Sequence, residues 1–328
     1  MRKYILKRLF LSLFILFFVA LIIYTIMRSL PTSYVESIAR QRANLPGSKS
    51  FTEWMDQLNA IYGLNTGIIQ GFFQWIGSAI GGNFGDSWYY NIPVTQKFTQ
   101  VIWYSFALGA IAFIFELLIA IPLGILSAKK QYSKTDYAVT VFALIGISLP
   151  TFFFATILKL VFSINLGWFD LYGMVGRFHD QLTPLGKILD IARHYVLPVI
   201  TLVCVNIGSL MRFTRTNMLE VLNSDFIRTA RAKGLPERKV VNRHAFRNTL
   251  IPIVTIIGGA LPGLFSGALI TETLFGITGI GRTAYDAMVN GDIPFSMFYL
   301  VFLAILTLSG TLLADILYAA VDPRVRVS

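Results

Sequence analysis

Val101-Ile-Trp-Tyr-Ser-Phe-Ala-Leu-Gly-Ala-Ile-Ala-Phe-Ile-Phe-Glu116-Leu-Leu-Ile-Ala-Ile-Pro-Leu-Gly-Ile-Leu-Ser127 carries one charged side chain, Glu116. At 1.5 Å per residue a helix over this stretch reaches about 40 Å, more than the roughly 30 Å of a bilayer's hydrocarbon. Five further stretches read the same way: Leu9–Met27, Tyr137–Phe162, Tyr195–Met211, Leu250–Ile270 and Phe295–Tyr318. The fourth in chain order, Tyr195–Met211, is the shortest and can extend past Arg212. The sequence therefore predicts an all-α membrane protein of six transmembrane helices.

Composition agrees. Of the 328 residues, 55% are hydrophobic and 14% charged, against about 25% charged in an ordinary soluble domain. The net charge of +11 does not indicate nucleic acid, because the basic residues sit in short connections between apolar runs. Such a distribution writes topology into a membrane protein. The N-terminal segment, Lys129–Thr135, Arg212–Arg247 and the C-terminus hold 18 of the 28 Lys and Arg residues. The rule of cytoplasmic positive charge places these segments, and so both termini, inside a cell membrane. The first apolar run is too long for a signal sequence and no small-residue cleavage site follows it, so it reads as a retained helix.

The segment from Arg28 to about Gln100 is too long for a simple loop. Helical pieces at Phe51–Tyr62 and Gly71–Ile80, then the turn-forming Gly81-Gly82-Asn83-Phe84-Gly85, predict a small external subdomain. The organisation expected is a first helix (1–27), the external subdomain (28–100) and a five-helix core (101–328) with an inside loop at 212–247. Two further outside segments, Asn165–His194 and Leu274–Pro294, are suited to re-entrant or lid elements. Prolines 122, 150, 198, 252 and 262 lie in or beside the spans, where they kink or end helices.

The inside loop Arg212–Arg247 predicts a helix to about Lys233, a stop at Gly234 and a second helix starting at Pro236. Val240, Val241 and Ala245 share one face of that second helix. On spacing alone the pair is either a docking element or an interfacial pair on anionic lipid headgroups.

These residues resemble the membrane components of binding-protein-dependent ABC importers, in the dipeptide, oligopeptide and nickel branch, as the first permease of the pair. The family's inside-loop signature, Glu-Ala-Ala then Gly after three residues, is met by Arg228-Thr229-Ala230 and Gly234, with departures at its first two positions. Further similarity lies in Lys7-Arg8-Leu9, Tyr62-Gly63-Leu64, Gly82-Asn83-Phe84-Gly85-Asp86-Ser87, Ser148-Leu149-Pro150-Thr151-Phe152 and Arg243-His244-Ala245-Phe246-Arg247-Asn248. It continues through Leu250-Ile251-Pro252, Glu272-Thr273-Leu274-Phe275-Gly276-Ile277-Thr278-Gly279-Ile280-Gly281 and Asp322-Pro323-Arg324-Val325-Arg326. Asn83 and Thr278 stand where the family usually has Asp and Pro.

The resemblance implies that Arg228, Thr229, Ala230, Ala232, Lys233, Gly234 and Leu235 couple to a cytoplasmic ATPase. It also implies that Glu272, Phe275, Gly279 and Gly281 belong to an external gate. The implied partners are a second permease, two ABC ATPases binding ATP and Mg, an extracytoplasmic peptide-binding protein and membrane lipids. No cofactor is expected in this chain and it is not expected to be an enzyme. Gly186-Lys187, its one Gly-Lys pair, lacks the rest of a phosphate loop.

Intramembrane ionisable residues are functional candidates. Glu116 either lines the pathway or pairs with Asn206. Lys159 is expected to snorkel outward and Asp315 to anchor the last helix near the inside face. His179 and His194 read as unrelated, and neither they nor Cys204 make a metal or catalytic site. The function expected is translocation of short peptides by an ATP-driven importer. Nickel or another small solute is the alternative within this class. An ion-coupled secondary transporter, which would carry inverted repeats and central carboxylates, and an intramembrane enzyme are the alternatives outside it.

Overall fold

In a computed structural model the backbone is described over residues 2–29 and 33–321, and side chains over 7–29, 34–250, 252–260 and 262–316. The motif Asp322–Arg326 lies outside the described residues. Helices α1 (Arg2–Ser29), α2 (Ser33–Ala43), α3 (Phe51–Ile61), α4 (Ile68–Ile80) and α5 (Val94–Lys129) come first. Helices α6 (Lys134–Ser148), α7 (Thr151–Leu158), α8 (Pro184–Leu222), α9 (Asp225–Ala232) and α10 (Glu237–Lys239) follow. The series ends with α11 (Phe246–Gly259), α12 (Leu261–Phe265), α13 (Leu269–Phe275), α14 (Ile280–Val289) and α15 (Ile293–Val321). Among the described residues there is no sheet, only an isolated bridge between Asp86 and Pro93.

Helices α1, α5, α8 and α15 are each long and apolar enough to cross a bilayer. Two bent pairs raise the number of spans to six if each pair is one span. The first pair breaks the third span where Pro150 stands: Lys134–Ser148 and Thr151–Asn165 meet at 103°. The cause is local. Pro150 has no N–H to donate, and its carbonyl instead starts the next helix by accepting from Phe153 and Phe154 N at 3.0 and 3.1 Å. The fifth span is likewise not straight. Glu237–Leu250 and Pro252–Phe265 are bent by 44°, and Gly267, at φ +78°, separates α12 from α13. Pro122 and Pro198, by contrast, lie inside continuous α-helices.

The chain forms two compact units. One comprises Met1–Trp103 with Ile280–Ser309. Its core gathers Tyr24 of α1, Val35 and Ala39 of α2, Leu58 of α3, Phe72 of α4 and Met297 of α15. Gly71 lets α4 reach α1, since a Cβ there would strike the Tyr24 hydroxyl. Arg28 donates to the carbonyls of Gly63, Leu64 and Thr66 at 2.9–3.0 Å, closing the α3–α4 turn. A reciprocal cap of Ser50 and Glu53 starts α3, and its hydrogen bonds hold the Glu53 carboxyl below the usual range. The glycine-rich turn is built as expected, with Gly82 and Gly85 at φ +79° and +78°. Buried Asp292 accepts from Ser87 Oγ, and from Tyr89 N and Phe295 N at 3.1 Å each, so that one carboxylate fixes this turn and the start of α15.

The other unit comprises Tyr104–Gly279 with Gly310–Ser328. Small residues set its helix crossings, as in membrane bundles generally. A Cβ at Gly124 of α5 would lie 2.7 Å from Met211 O and Thr214 Cβ of α8. Gly146 of α6 abuts the Cys204 carbonyl, and Gly208 of α8 abuts the Ala143 carbonyl. A buried ion pair reinforces this packing. Arg215 donates from Nε and Nη2 to the two Asp136 carboxylate oxygens at 2.9 Å each. Ser127 Oγ and Tyr132 N also donate to Asp136, so the pair joins α5, α6 and α8.

Candidate functional site

Three places hold the residues singled out in the sequence. The first is the loop after α8. The helix predicted to run to Lys233 instead breaks at Asn223-Ser224-Asp225, residue types that bond their own backbone and favour helix ends. Helix α9 then carries Ile227 and Ala230 on a buried face against Val240, Val241, Ala245, Met218 and Ala128. Arg228, Thr229, Ala232 and Lys233 are exposed, with half-buried Leu235 at the edge. Gly234 takes φ +73° and its N–H bonds Arg231 O at 2.9 Å. Arg231 then clasps Glu237 through two hydrogen bonds of 3.2 and 2.8 Å, which raises the Arg231 pKa further.

The second predicted helix is not a separate element. From Glu237 it continues through a π-helical stretch, Val240–Ala245, into α11. Sequence reasoning also missed Phe226, an aromatic side chain 48% exposed on the polar face of α9. The signal was present, because Phe226, Thr229 and Lys233 recur at i, i+3 and i+7 opposite the buried Ile227 and Ala230.

The second place is α13. Glu272 is fully buried. Its Oε1 accepts from Ser105 Oγ at 2.6 Å and from Ala268 N at 3.0 Å. Gly279 is required beside it, since a Cβ there would overlap both the Glu272 carboxylate and Ser105 Oγ. Phe275 is 4% exposed, its carbonyl accepting from Gly173 N at 2.9 Å. Gly276 ends α13 in the left-handed region at φ +70°; Gly281 belongs to the other unit, where it is buried in the first turn of α14.

Lys159 overturns an expectation here. It does not snorkel outward but is 9% exposed. Its ammonium donates to the Leu274 carbonyl and lies 3.8 Å from the centre of the Tyr172 ring. A helix C-terminus and an aromatic face both attract a cation, and together they hold Lys159 inside.

The third place is a cavity of about 460 Å³ between α5, α8, α11 and α12. Half-buried Glu116 and exposed Asn206 both line it, with Ser105 and Ser209. Among the described residues Glu116 and Asn206 are not hydrogen-bonded to each other.

His179 and His194, expected to be unrelated, converge on Asp190. His179 Nδ1 is 2.7 Å from Asp190 Oδ2, and His194 Nδ1 is 3.5 Å from Oδ1. Among the described residues no group of three or more His, Cys, Asp or Glu side chains is arranged to hold a metal ion.

Several apolar helices, two of the spans broken, and polar side chains facing a cavity are features of a multi-pass membrane protein with a pathway through it. Residues 120–327 match the family described as binding-protein-dependent transport system inner membrane component, and the chain belongs to it. It is thus a permease of an ABC importer, a class of subunit that works with an ATPase and a substrate-binding protein.

Among curated proteins, the chain is 36% identical over 326 residues to the oligopeptide transport system permease protein AppB of Bacillus subtilis, covering 99% of each chain. It is 33% identical over 342 residues to the dipeptide transport system permease protein DppB of Escherichia coli, again covering 99% of each. Among solved structures, a chain of the MetNI methionine ABC transporter in inward-facing conformations aligns with a TM-score of 0.54 and 16% identity. That alignment covers 70% of this chain and 97% of the other, and the likeness is one of fold.

Proposed function

We propose that the chain is the peptide-translocating permease of such an importer and one half of a heterodimeric pore, with both termini cytoplasmic. The observation that carries the mechanism is the two-faced loop after α8. Its apolar underside is fixed to the ends of α5 and α8, while Phe226, Arg228, Thr229 and Lys233 are left exposed. An aromatic anchor ringed by basic groups suits a groove on a partner protein. On this reading two cytoplasmic ATPases seat there, bind ATP and Mg, and transmit nucleotide-driven closure as a coupling between two states. Residues 28–100 form the external subdomain that helps a peptide-binding protein dock, and Glu272, Phe275, Gly279 and Gly281 belong to the external gate. The names of the relatives, oligopeptide and dipeptide permeases, support peptide as the cargo.

Reconstitution with the candidate ATPases, partner permease and binding protein tests this. Peptide uptake into liposomes is expected to require ATP and every subunit. Uptake by this chain alone, driven by an ion gradient and indifferent to ATP, would make it a secondary transporter.

A narrower expectation concerns Gly234. A Cβ there would meet nothing within 4 Å, so Gly234→Val acts through backbone strain alone, about 1–2 kcal/mol for a left-handed position. Membrane insertion is expected to be normal and copurification of the ATPase reduced several-fold. Normal assembly with coupled ATP hydrolysis in this variant removes the turn from the docking surface.

A further inference from the structure

We propose that Glu116 is the point in the translocation pathway that recognises a protonated amine on the cargo. This rests on the reading of the chain as a peptide permease, and it assigns that pathway a chemical preference. Among the described residues Glu116 is the one ionisable side chain lining the 460 Å³ cavity. It lies midway along α5, deep in an apolar span. Among the described residues its carboxylate has neither a hydrogen bond nor an ion pair. Asn206 and Ser209, one turn apart on α8, line the same cavity and likewise make no side-chain hydrogen bond to the described chain.

A carboxylate at this depth is costly unless something pairs with it, and uncommitted polar groups around a cavity are what a transient ligand requires. An ammonium carries three N–H donors and no acceptor. The Glu116 carboxylate, the Asn206 carbonyl oxygen and the Ser209 hydroxyl supply three acceptors on two facing helices. Apart from Ser105, the rest of the wall is apolar or glycine, with Phe113, Leu202, Ile256 and Leu264 among its side chains. Gly259 and Gly263 border the cavity, and a Cβ at either would meet nothing within 4 Å. Such a wall offers, among the described residues, no second charge with which to select among charged side chains of the cargo. A fixed anion selects for the group that peptides share, the N-terminal ammonium, through a charge-assisted hydrogen bond.

The test is uptake of a tripeptide and of its N-acetylated form by the reconstituted complex, with one binding protein throughout, for the wild type, Glu116→Gln and Glu116→Asp. Glu116→Gln is expected to slow uptake of the free-amine peptide about tenfold and leave that of the acetylated peptide unchanged, while Glu116→Asp keeps the wild-type preference. Because the binding protein is constant, a change in the ratio belongs to the permease. Equal loss for both peptides, or no change for either, overturns the proposal. Failure of Glu116→Gln to copurify with the second permease also overturns it, by assigning the carboxylate to an ion pair between subunits. If the wild-type complex takes up neither peptide while the intact assembly hydrolyses ATP, the peptide reading falls first and this inference with it.

Discussion

Asp136→Ala is expected to destabilise the chain by about 3 kcal/mol, the lower end of what breaking a buried ion pair costs. Asp136 is 3% exposed and receives two hydrogen bonds from Arg215, one from Ser127 and one from Tyr132. The variant leaves a guanidinium in a largely apolar setting without its counter-charge and strips two further donors of their acceptor. The Arg215 side chain keeps 26% exposure and so retains some water, which is why the lower end applies. Thermal unfolding of the purified subunit in detergent measures the effect. Asp136→Ala combined with Arg215→Met is expected to recover most of the loss, because the charge left behind, rather than the absent contact, dominates the single variant. A double variant as unstable as the sum of the two single ones would mean the pair is not the unit that matters.

Glu272→Ala is expected to cost about 2–4 kcal/mol through the lost hydrogen bonds and the cavity left in a closed site. Glu272→Gln, which keeps an oxygen facing Ser105 and Ala268, is expected to cost about 1 kcal/mol. The functional readout separates packing from gating. With the gate role proposed for α13, Glu272→Ala in the reconstituted complex should still hydrolyse ATP while peptide uptake per ATP falls. Uptake per ATP that stays at the wild-type level in a destabilised variant would reduce Glu272 to a structural residue.

Much of the fold was legible because apolar length is a property of contiguous residues. Leu9–Met27, Val101–Ser127, Tyr195–Met211 and Phe295–Tyr318 all fall within long helices. The breaks were less legible. Pro122 and Pro198 persist inside helices while Pro150 turns the chain through 103°, and nothing in the immediate sequence separates these outcomes. What decides is whether neighbouring helices and carbonyls can satisfy the freed groups. The inward turn of Lys159 was hidden for a similar reason. Its carbonyl partner, Leu274, is 115 residues away, whereas the snorkelling rule considers only the side chain's own helix. Arg215 and Asp136 are 79 residues apart, and each reads singly as a topology or capping residue. The exposed face of α9 was legible in its basic residues. Phe226 escaped notice because an aromatic residue in an amphipathic segment is ordinarily assigned to the buried side.

The continuity of the helix from Glu237 into α11 has a mechanical consequence. A loop between the α9 turn and the fifth span would act as a slack tether, absorbing small displacements before passing any on. Here Glu237–Leu250 is one continuous helix, so a displacement at its tip is passed along it toward Pro252 rather than lost in a loop. The 44° bend there turns a thrust along the helix into a sideways sweep of Pro252–Phe265. The points along it that can give are the π-helical Val240–Ala245, where the wider turn loosens the usual ladder, and the bend itself. The element thus resembles a crank with two bearings, its throw set by one proline.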